Sequence, residues 1–136
     1  MSDTQLRIGM IGVTGRGGLW RHWHDPHGRS VIVAGADVSP AKLAAFASEH
    51  GGDPFITCDY RELLERPDVD AIAVCSPDFM HQEHAVAALQ AGKHVFCEKP
   101  LAITIEGCDQ ILTTWRQDQQ RLMVGFNMRY MNIFRT

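Results

Sequence analysis

Short apolar runs alternate along the chain with longer segments in which apolar positions recur every three or four residues. The apolar runs cover residues 6–11, 31–36, 71–75, 94–97 and 122–126, and a weaker candidate covers residues 55–58. Runs with few polar interruptions are typical of strands that are buried on both faces of a parallel sheet. The pattern therefore predicts a strand at each of these places.

Helix signals stand between the predicted strands. Ser39 and Pro40 fit an N-cap and the first helical position, and Gly92 fits a stop signal after a helical pattern over residues 81–91. Thr104 fits the N-cap of a further helix. The apolar stripe of that helix is predicted to consist of Ile105, Cys108, Ile111, Leu112 and Trp115.

Alternation of strands and helices predicts an α/β fold with a doubly wound parallel sheet of the Rossmann type, covered by helices on both faces. The result would be a three-layer α/β/α domain. In such sheets, ligands bind at the carboxyl ends of the strands.

The composition agrees with one ordinary domain and bears on its partners and its cellular compartment. The chain has 136 residues, 45% of them hydrophobic, and a formal net charge of -3, which gives no reason to expect a nucleic-acid surface. No apolar run has the roughly 18 residues of a membrane helix. Residues 1–7 lack the apolar core of a signal peptide, so we expect a cytoplasmic protein. We interpret the widely spaced cysteines as small core residues and not as a disulfide framework: Cys58, Cys75, Cys97 and Cys108.

A glycine-rich turn follows the first predicted strand. Gly12 and Gly17 fit the outer positions of the G-x-G-x-x-G pattern, while Thr14 occupies the middle position with Gly15 beside it. Glycines in this pattern let the backbone turn sharply and approach a pyrophosphate. Because Thr14 adds a side chain where the phosphates come closest, we expect a turn that is shifted by one residue.

Asp37 stands at the end of the second predicted strand, 20 residues after Gly17. An acid at this distance usually holds the adenosine ribose. Its carboxylate accepts the ribose hydroxyls and repels a 2′-phosphate, so Asp37 favours NAD as the cofactor. Arg16 can accept such a phosphate, which keeps NADP open. The alternative interpretation of Asp37 is a strand-end acid that caps the next turn.

The run over residues 88–102, which contains Glu98-Lys99-Pro100, closely resembles the glucose-fructose oxidoreductase, inositol dehydrogenase and rhizopine-catabolism (Gfo/Idh/MocA) family. Residues 68–81 and 124–130 resemble the family's fourth strand with its cofactor loop and its sixth strand. The resemblance covers nearly the whole chain in the right order. It implies an NAD(P)-dependent oxidoreductase that transfers hydride between a nicotinamide and a hydroxyl carbon of a sugar, a polyol or a related small molecule.

The resemblance also implies roles for individual residues. Lys99 would be the catalytic residue beside the nicotinamide and the reacting hydroxyl, and Glu98 would position Lys99 or touch the cofactor. Asn127 and Arg129 would lie near the nicotinamide or the substrate, although Arg129 could equally be a solvent-exposed charge. The full predicted set of cofactor-binding residues is Gly12, Thr14, Gly15, Arg16, Gly17, Asp37, Ser76, Pro77, His81, Glu98, Lys99, Asn127 and Arg129.

Histidine spacing raises the question of a metal site. His81 and His84 are three residues apart on a predicted helix, but no third ligand is evident, so we expect His81 to face the cofactor or to cap the helix. His22, His24 and His27 match no standard metal-site spacing. We therefore predict no metal.

Besides Thr14, two features depart from the pattern of the family that the chain resembles. Gly107 lies in the first turn of the last predicted helix, where a glycine lowers helix stability by up to about 1 kcal/mol. Family enzymes also continue into a second domain that supplies most substrate contacts and the oligomer surface. We predict that residues 1–126 form the NAD(P)-binding domain and that residues 127–136 begin the connection to that second domain.

We accordingly expect this chain to be a fragment with weak or no turnover by itself, and we expect a homo-oligomer only for the full-length form. Two alternatives stay open. One is a non-catalytic NAD(P)-binding sensor or subunit that acts with a partner chain, and the other is an S-adenosylmethionine-binding Rossmann domain. The Glu98-Lys99-Pro100 run argues against the latter.

Overall fold

The computed structural model describes residues 5–117 and 119–134. One parallel sheet organises the molecule, with the strand order β3-β2-β1-β4-β5-β6. Its strands are β1 Leu6–Ile11, β2 Ser30–Ala36, β3 Phe55–Thr57, β4 Ala71–Val74, β5 His94–Glu98 and β6 Leu122–Gly125. This order is that of the doubly wound dinucleotide-binding fold, in which the chain reverses its direction of travel across the sheet between β1 and β4. The predicted fold class is confirmed.

In the described part of the chain, five helices and two short 3-10 segments lie between the strands, and two further 3-10 segments follow β6. The helices are α1 Trp20–Trp23, α2 Pro40–His50, α3 Tyr60–Leu64, α4 His81–Gln90 and α5 Ile105–Gln117, and the 3-10 segments are Gly15–Leu19, Asp78–Met80, Asn127–Tyr130 and Asn132–Phe134. The predicted caps are present. Ser39 Oγ accepts from the backbone N–H of Lys42 at 3.4 Å, and Thr104 Oγ1 accepts from that of Gly107 at 3.0 Å.

Alternate residues of the central strands pack on opposite faces of the sheet. Met10 of β1 belongs to a cluster with residues of α1 and α2, while Ile11, the next residue, belongs to a cluster with residues of α3, α4 and α5. Ala73 and Val74 of β4 divide in the same way. Full burial of a side chain such as Ile72 contributes about 1.5–3 kcal/mol. Both faces are therefore cores, which explains why the strands lack polar alternation.

Two predictions about burial are wrong. Ile105 was expected on the buried stripe of α5 but is 77% exposed, and Cys58 is exposed at the end of β3. The buried positions of α5 include Gly107 and Ile111. A Cβ on Gly107 would lie 2.6 Å from Gln82 Oε1, so α5 approaches α4 through this glycine. Because Gly107 faces α4, Ile105 lies about 200° away around the helix and points towards solvent.

Within residues 5–117 and 119–134, no helix combines the length and the apolar character needed to cross a membrane. Across the same residues, no cluster of three or more histidine, cysteine or carboxylate side chains is arranged to hold a metal ion.

Candidate functional site

Loops that follow five neighbouring strands, β3 to β5 in sheet order, enclose a cavity of about 900 Å³ at the carboxyl edge of the sheet. Cavities of this size are typical of small-molecule and cofactor sites. Ten of the predicted site residues line it: Gly12, Thr14, Gly15, Arg16, Asp37, Ser76, Pro77, His81, Glu98 and Lys99. The fold thus brings together residues that are up to 87 positions apart in the chain.

The turn after β1 is built on three glycines with different tasks. Gly12 and Gly15 have φ angles of +85° and +60°, a region that side chains with a Cβ rarely adopt. Gly17 packs beneath the turn, where a Cβ would lie 2.7 Å from the carbonyl carbon of Gly12 and still closer to its oxygen. Gly17 is therefore buried and does not line the cavity, unlike the other predicted residues of the turn.

Thr14 is compatible with this turn because its backbone is extended, with φ and ψ of −125° and 174°. The bare backbone lies one residue later. A Cβ added to Gly15 would meet no atom of the chain within 4 Å, and Gly15 lines the cavity. A turn shifted by one residue, as predicted, accounts for a threonine at the position where the pattern has a glycine.

The helix that follows the turn is short. A 3-10 segment over Gly15–Leu19 leads into α1, which has four residues. A helix of one turn carries only a small dipole. An anion at this turn would consequently be held by individual N–H groups of the turn rather than by the field of a long helix.

Asp37 joins the turn after β1 to the start of α2. One carboxylate oxygen accepts from the backbone N–H of Val13 at 3.3 Å, and the other accepts from that of Ser39 at 3.0 Å. The side chain is half-buried and lines the cavity. The alternative role of Asp37, that of a cap for the next turn, is therefore present. The same carboxylate keeps lone pairs for a ligand in the cavity.

Two histidines of α4 hold Ser76, the second residue after β4. His81 Nε2 lies 2.9 Å from the carbonyl oxygen of Ser76, and His84 Nδ1 lies 2.8 Å from its hydroxyl. Burial, as the largest cause, holds the pKa of His84 below its ordinary value. A neutral His84 therefore orients the Ser76 hydroxyl at the wall of the cavity, a role that its spacing in the sequence did not indicate.

Tyr60 of α3 closes this wall. Its ring packs edge-on against the ring of His84 with centroids 4.4 Å apart, and its hydroxyl donates to Glu83 Oε1 at 2.8 Å. The pKa of Tyr60 is raised, first by burial and then by the hydrogen bond to Glu83. The Arg61 guanidinium lies over the Tyr60 ring, 4.7 Å from its centroid. Sequence reasoning missed this wall, because α3 is only five residues long and has no repeated apolar pattern.

Glu98 and Lys99 occupy opposite environments at the end of β5. The Glu98 side chain is 5% exposed, and its Oε2 accepts from the backbone N–H of Lys99 at 3.3 Å. Lys99 is exposed and lines the cavity. This arrangement places a buried carboxylate at the base of the segment that carries the lysine.

Two buried cysteines beside the site, Cys75 and Cys97, are poor nucleophiles. Burial raises the pKa of both Cys75 and Cys97 to about 12, so their thiols stay protonated at neutral pH.

Asn127 and Arg129 are not brought to the cavity. Both are exposed in the 3-10 segment Asn127–Tyr130, which follows β6, and neither lines the cavity. The position of Arg129 agrees with its alternative interpretation as a solvent-exposed charge. A role for either residue would need a ligand or further protein that extends beyond the end of β5.

Comparison with known proteins places this site in a family. Residues 6–126 match the Gfo/Idh/MocA oxidoreductase family, described as an NAD-binding Rossmann fold. Inositol 2-dehydrogenase of Paracoccus denitrificans is 39% identical over 134 residues, which cover 92% of this chain and 38% of that protein.

Solved structures agree with the sequence match. A probable dehydrogenase from Thermotoga maritima superposes with a TM-score of 0.84 at 34% identity, covering 93% of this chain and 38% of that one. The scyllo-inositol dehydrogenase of Lactobacillus casei, with bound NAD(H) and scyllo-inositol, superposes with a TM-score of 0.86 at 27% identity, covering 95% and 38%.

The chain spans 29% to 38% of the length of the curated relatives that it matches. Within that span the strand order is that of a doubly wound dinucleotide-binding fold, and the glycine turn lines the same cavity as Glu98 and Lys99. The chain therefore belongs to the Gfo/Idh/MocA oxidoreductase family and forms its NAD-binding Rossmann domain.

Proposed function

We propose that the cavity binds NAD in preference to NADP and that Lys99 acts on the hydroxyl of a sugar or polyol in an oxidoreductase built from this domain and a substrate domain. The observation that carries the proposal is the Asp37 carboxylate, held by the N–H groups of Val13 and Ser39 at the edge of the cavity. A fixed negative charge there suits two neutral ribose hydroxyls and opposes a phosphate.

The residues of the cavity fit a dinucleotide. Gly15 offers bare backbone with open space in front of it, as close approach of a pyrophosphate requires. Asp37 lies at the β2 end of the cavity, and Ser76 and Lys99 lie at the β4 and β5 ends. A ligand held by all of these must be long, with a ribose at one end and its reactive group at the other.

Lys99 is the only lysine or arginine side chain that the loops after β4 and β5 contribute to the described lining of the cavity. A bound nicotinamide would accept or donate the hydride. The Lys99 ammonium would donate a hydrogen bond to the substrate oxygen, which would orient the hydroxyl carbon and stabilise negative charge on that oxygen while its proton passes to a base of the substrate domain. Glu98, buried beneath it, would hold the Lys99 backbone in place.

Calorimetric titration of the chain with NAD and NADP in both redox states tests the cofactor preference. Two unit charges 4 Å apart repel by about 4 kcal/mol at an effective dielectric constant of 20. Even with partial screening, we expect NADP to bind at least about tenfold more weakly than NAD. The Asp37→Asn variant should lose most of this discrimination.

Asp78→Asn is the matched control, because Asp78 is an exposed acid that lines the same cavity after β4. It should leave the NAD to NADP ratio unchanged. Equal binding of both dinucleotides by the unmodified chain would contradict the assignment of Asp37. Displacement of bound NADH by S-adenosylmethionine would instead support the methyl-donor alternative.

A chimera that joins residues 1–126 to the remaining sequence of the Paracoccus relative tests Lys99. Inositol and related ring polyols are the first substrates to try, since the named relatives act on them. Loss of the lysine in Lys99→Ala should lower kcat at least about 100-fold, while the Kd for NADH changes little. Normal turnover by that variant would exclude the catalytic role and favour a domain that binds NAD without chemistry.

The same chimera addresses the domain boundary. We propose that residues 127–136 begin the connection to the substrate domain, that the whole protein forms homo-oligomers through that domain, and that it works in the cytoplasm. The exposed positions of Asn127 and Arg129 agree with a segment that another domain would cover. Size-exclusion chromatography of the chain beside the chimera tests the assembly, and a monomeric chimera would contradict it.

A further inference from the structure

Both ring nitrogens of His81 face main-chain carbonyl oxygens. Nδ1 lies 2.6 Å from the oxygen of Pro100, and Nε2 lies 2.9 Å from that of Ser76. The side chain is 1% exposed, so water does not compete for either nitrogen. A carbonyl oxygen only accepts hydrogen bonds, and a neutral imidazole carries a single N–H. Two hydrogen bonds of these lengths therefore require a hydrogen on each nitrogen.

We propose that His81 carries a hydrogen on both ring nitrogens and clamps the loop after β4 to the segment after β5, which positions Lys99 beside Ser76. Pro100 follows Lys99 directly, and Ser76 lies at the cofactor wall. The inference rests on the proposed role of Lys99. His81 is a positioning residue, because both of its nitrogens are occupied by the protein and it acts on Lys99 through the backbone.

The end of the sheet explains why such a clamp is needed. The last paired residues of β4 and β5 are Val74 and Cys97. Ser76 and Lys99 both lie beyond this pair, so the ladder does not set the distance between them. The ring of His81 spans that gap with two hydrogen bonds, each strengthened by the charge of the doubly protonated ring.

The surroundings of His81 bear on its charge. An isolated buried cation is costly, and hydrogen bonds to both carbonyls offset part of that cost. The carboxylates of Glu98 from β5 and Glu83 from α4 line the same cavity as His81 and Lys99.

Nitrogen-15 NMR of the ligand-free chain, labelled in the histidine rings, tests the protonation directly. The His81 signals are assigned by their loss in His81→Asn. We expect a directly bonded proton on both ring nitrogens at neutral pH, each protected from exchange with solvent. A single protonated nitrogen would overturn the proposal, and this result does not depend on the cofactor.

Acetylation of Lys99, followed by mass spectrometry, tests the positioning. Saturating NADH should protect Lys99 in the unmodified chain. In His81→Asn, with NADH saturating relative to that variant's own Kd, we expect the acetylation rate of Lys99 to rise by roughly tenfold, as for loss of a charged hydrogen bond. Full protection in that variant would overturn the clamp.

His84→Asn is the matched control. His84 lies one turn further along α4, is also buried, and contacts Ser76 through its hydroxyl, whereas the hydrogen bond to Pro100 belongs to His81. Lys99 should stay protected in this variant, and equal deprotection in both would contradict a specific role for His81. If NADH binds but does not protect Lys99 in the unmodified chain, the proposed role of Lys99 fails, while the NMR result still decides the protonation of His81.

Discussion

Replacement of Gly17 by alanine tests whether the turn after β1 is built as the structure indicates. The new Cβ would lie 2.7 Å from the carbonyl carbon of Gly12, with the carbonyl oxygen closer still. Carbon atoms in contact normally lie about 3.5–4.0 Å apart. The two segments of the turn must therefore separate by about 1 Å before the methyl group can be accommodated.

The cost of that separation is high because both partners are backbone. No side chain can rotate away, and Gly12 itself packs against the end of the neighbouring strand β4, where an added Cβ would lie 2.6 Å from the carbonyl oxygen of Cys75. Overpacking in a filled interior typically costs about 1–3 kcal/mol, and we expect the upper end here. For a domain of this size, about 3 kcal/mol corresponds to a fall in Tm of roughly 10 °C.

Gly18→Ala is the control for this substitution. A Cβ there would lie 3.0 Å from Nη1 of Arg21, the tip of a flexible side chain that can move. Its effect on the free energy of unfolding should stay within about 0.5 kcal/mol. Thermal unfolding followed by circular dichroism gives the stability of both variants, and calorimetry gives the Kd for NADH.

Gly17→Ala should both unfold earlier and bind NADH more weakly, since the shifted turn no longer presents Gly15 to the cavity. Equal Tm values and equal Kd values for the two variants would refute this account of the turn.

Three further predictions concern stability and reactivity. Burial is the main cause that lowers the pKa of His24 from its ordinary value of 6.5. The unfolded chain therefore binds more protons than the folded chain, and the free energy of unfolding should fall as the pH drops below about 6.5. Measurement of Tm from about pH 8 to pH 5 checks this, and His24→Asn should flatten the profile. The ammonium of Lys93 donates hydrogen bonds to two carbonyls of the loop before β4, at 2.7 Å each. Lys93→Met should therefore lower the free energy of unfolding, measured by urea titration, by about 2 kcal/mol. The control Lys42→Met, on the exposed face of α2, should change it little. Iodoacetamide should label the exposed Cys58 in the folded chain and label Cys75 only after denaturation, because burial raises the pKa of Cys75 to about 12; fast labelling of Cys75 in the native protein would contradict its burial.

Much of the site was predictable because a parallel sheet places the carboxyl ends of its strands on one edge. Once the strands were recognised, the glycine turn, Asp37, Ser76 and Lys99 had to meet there. Asn127 and Arg129 also follow the carboxyl end of a strand, yet they lie outside the cavity. Their strand, β6, is the edge strand, and the segment that follows it contributes no residue to the described lining of the cavity.

Local pattern also failed where packing between helices decides burial. Ile105 looks like the first residue of an apolar stripe, but the buried face of α5 is set by Gly107, where α4 comes closest. By helix propensity alone, Gly107 is predicted only to lower the stability of α5. Its value lies in the missing side chain, which no periodicity in a single segment can reveal.

The sequence by itself determined the strand positions, the helix caps, the fold class and the family, because each depends on residues that are close together in the chain or on short motifs in a fixed order. Only the tertiary structure decided which nitrogen of each histidine meets which oxygen of Ser76 and Pro100, and how the threonine in the glycine turn is tolerated. These are contacts between segments far apart in the chain, and their distances of about 3 Å follow from how helices and loops pack on the sheet, which local propensity does not specify.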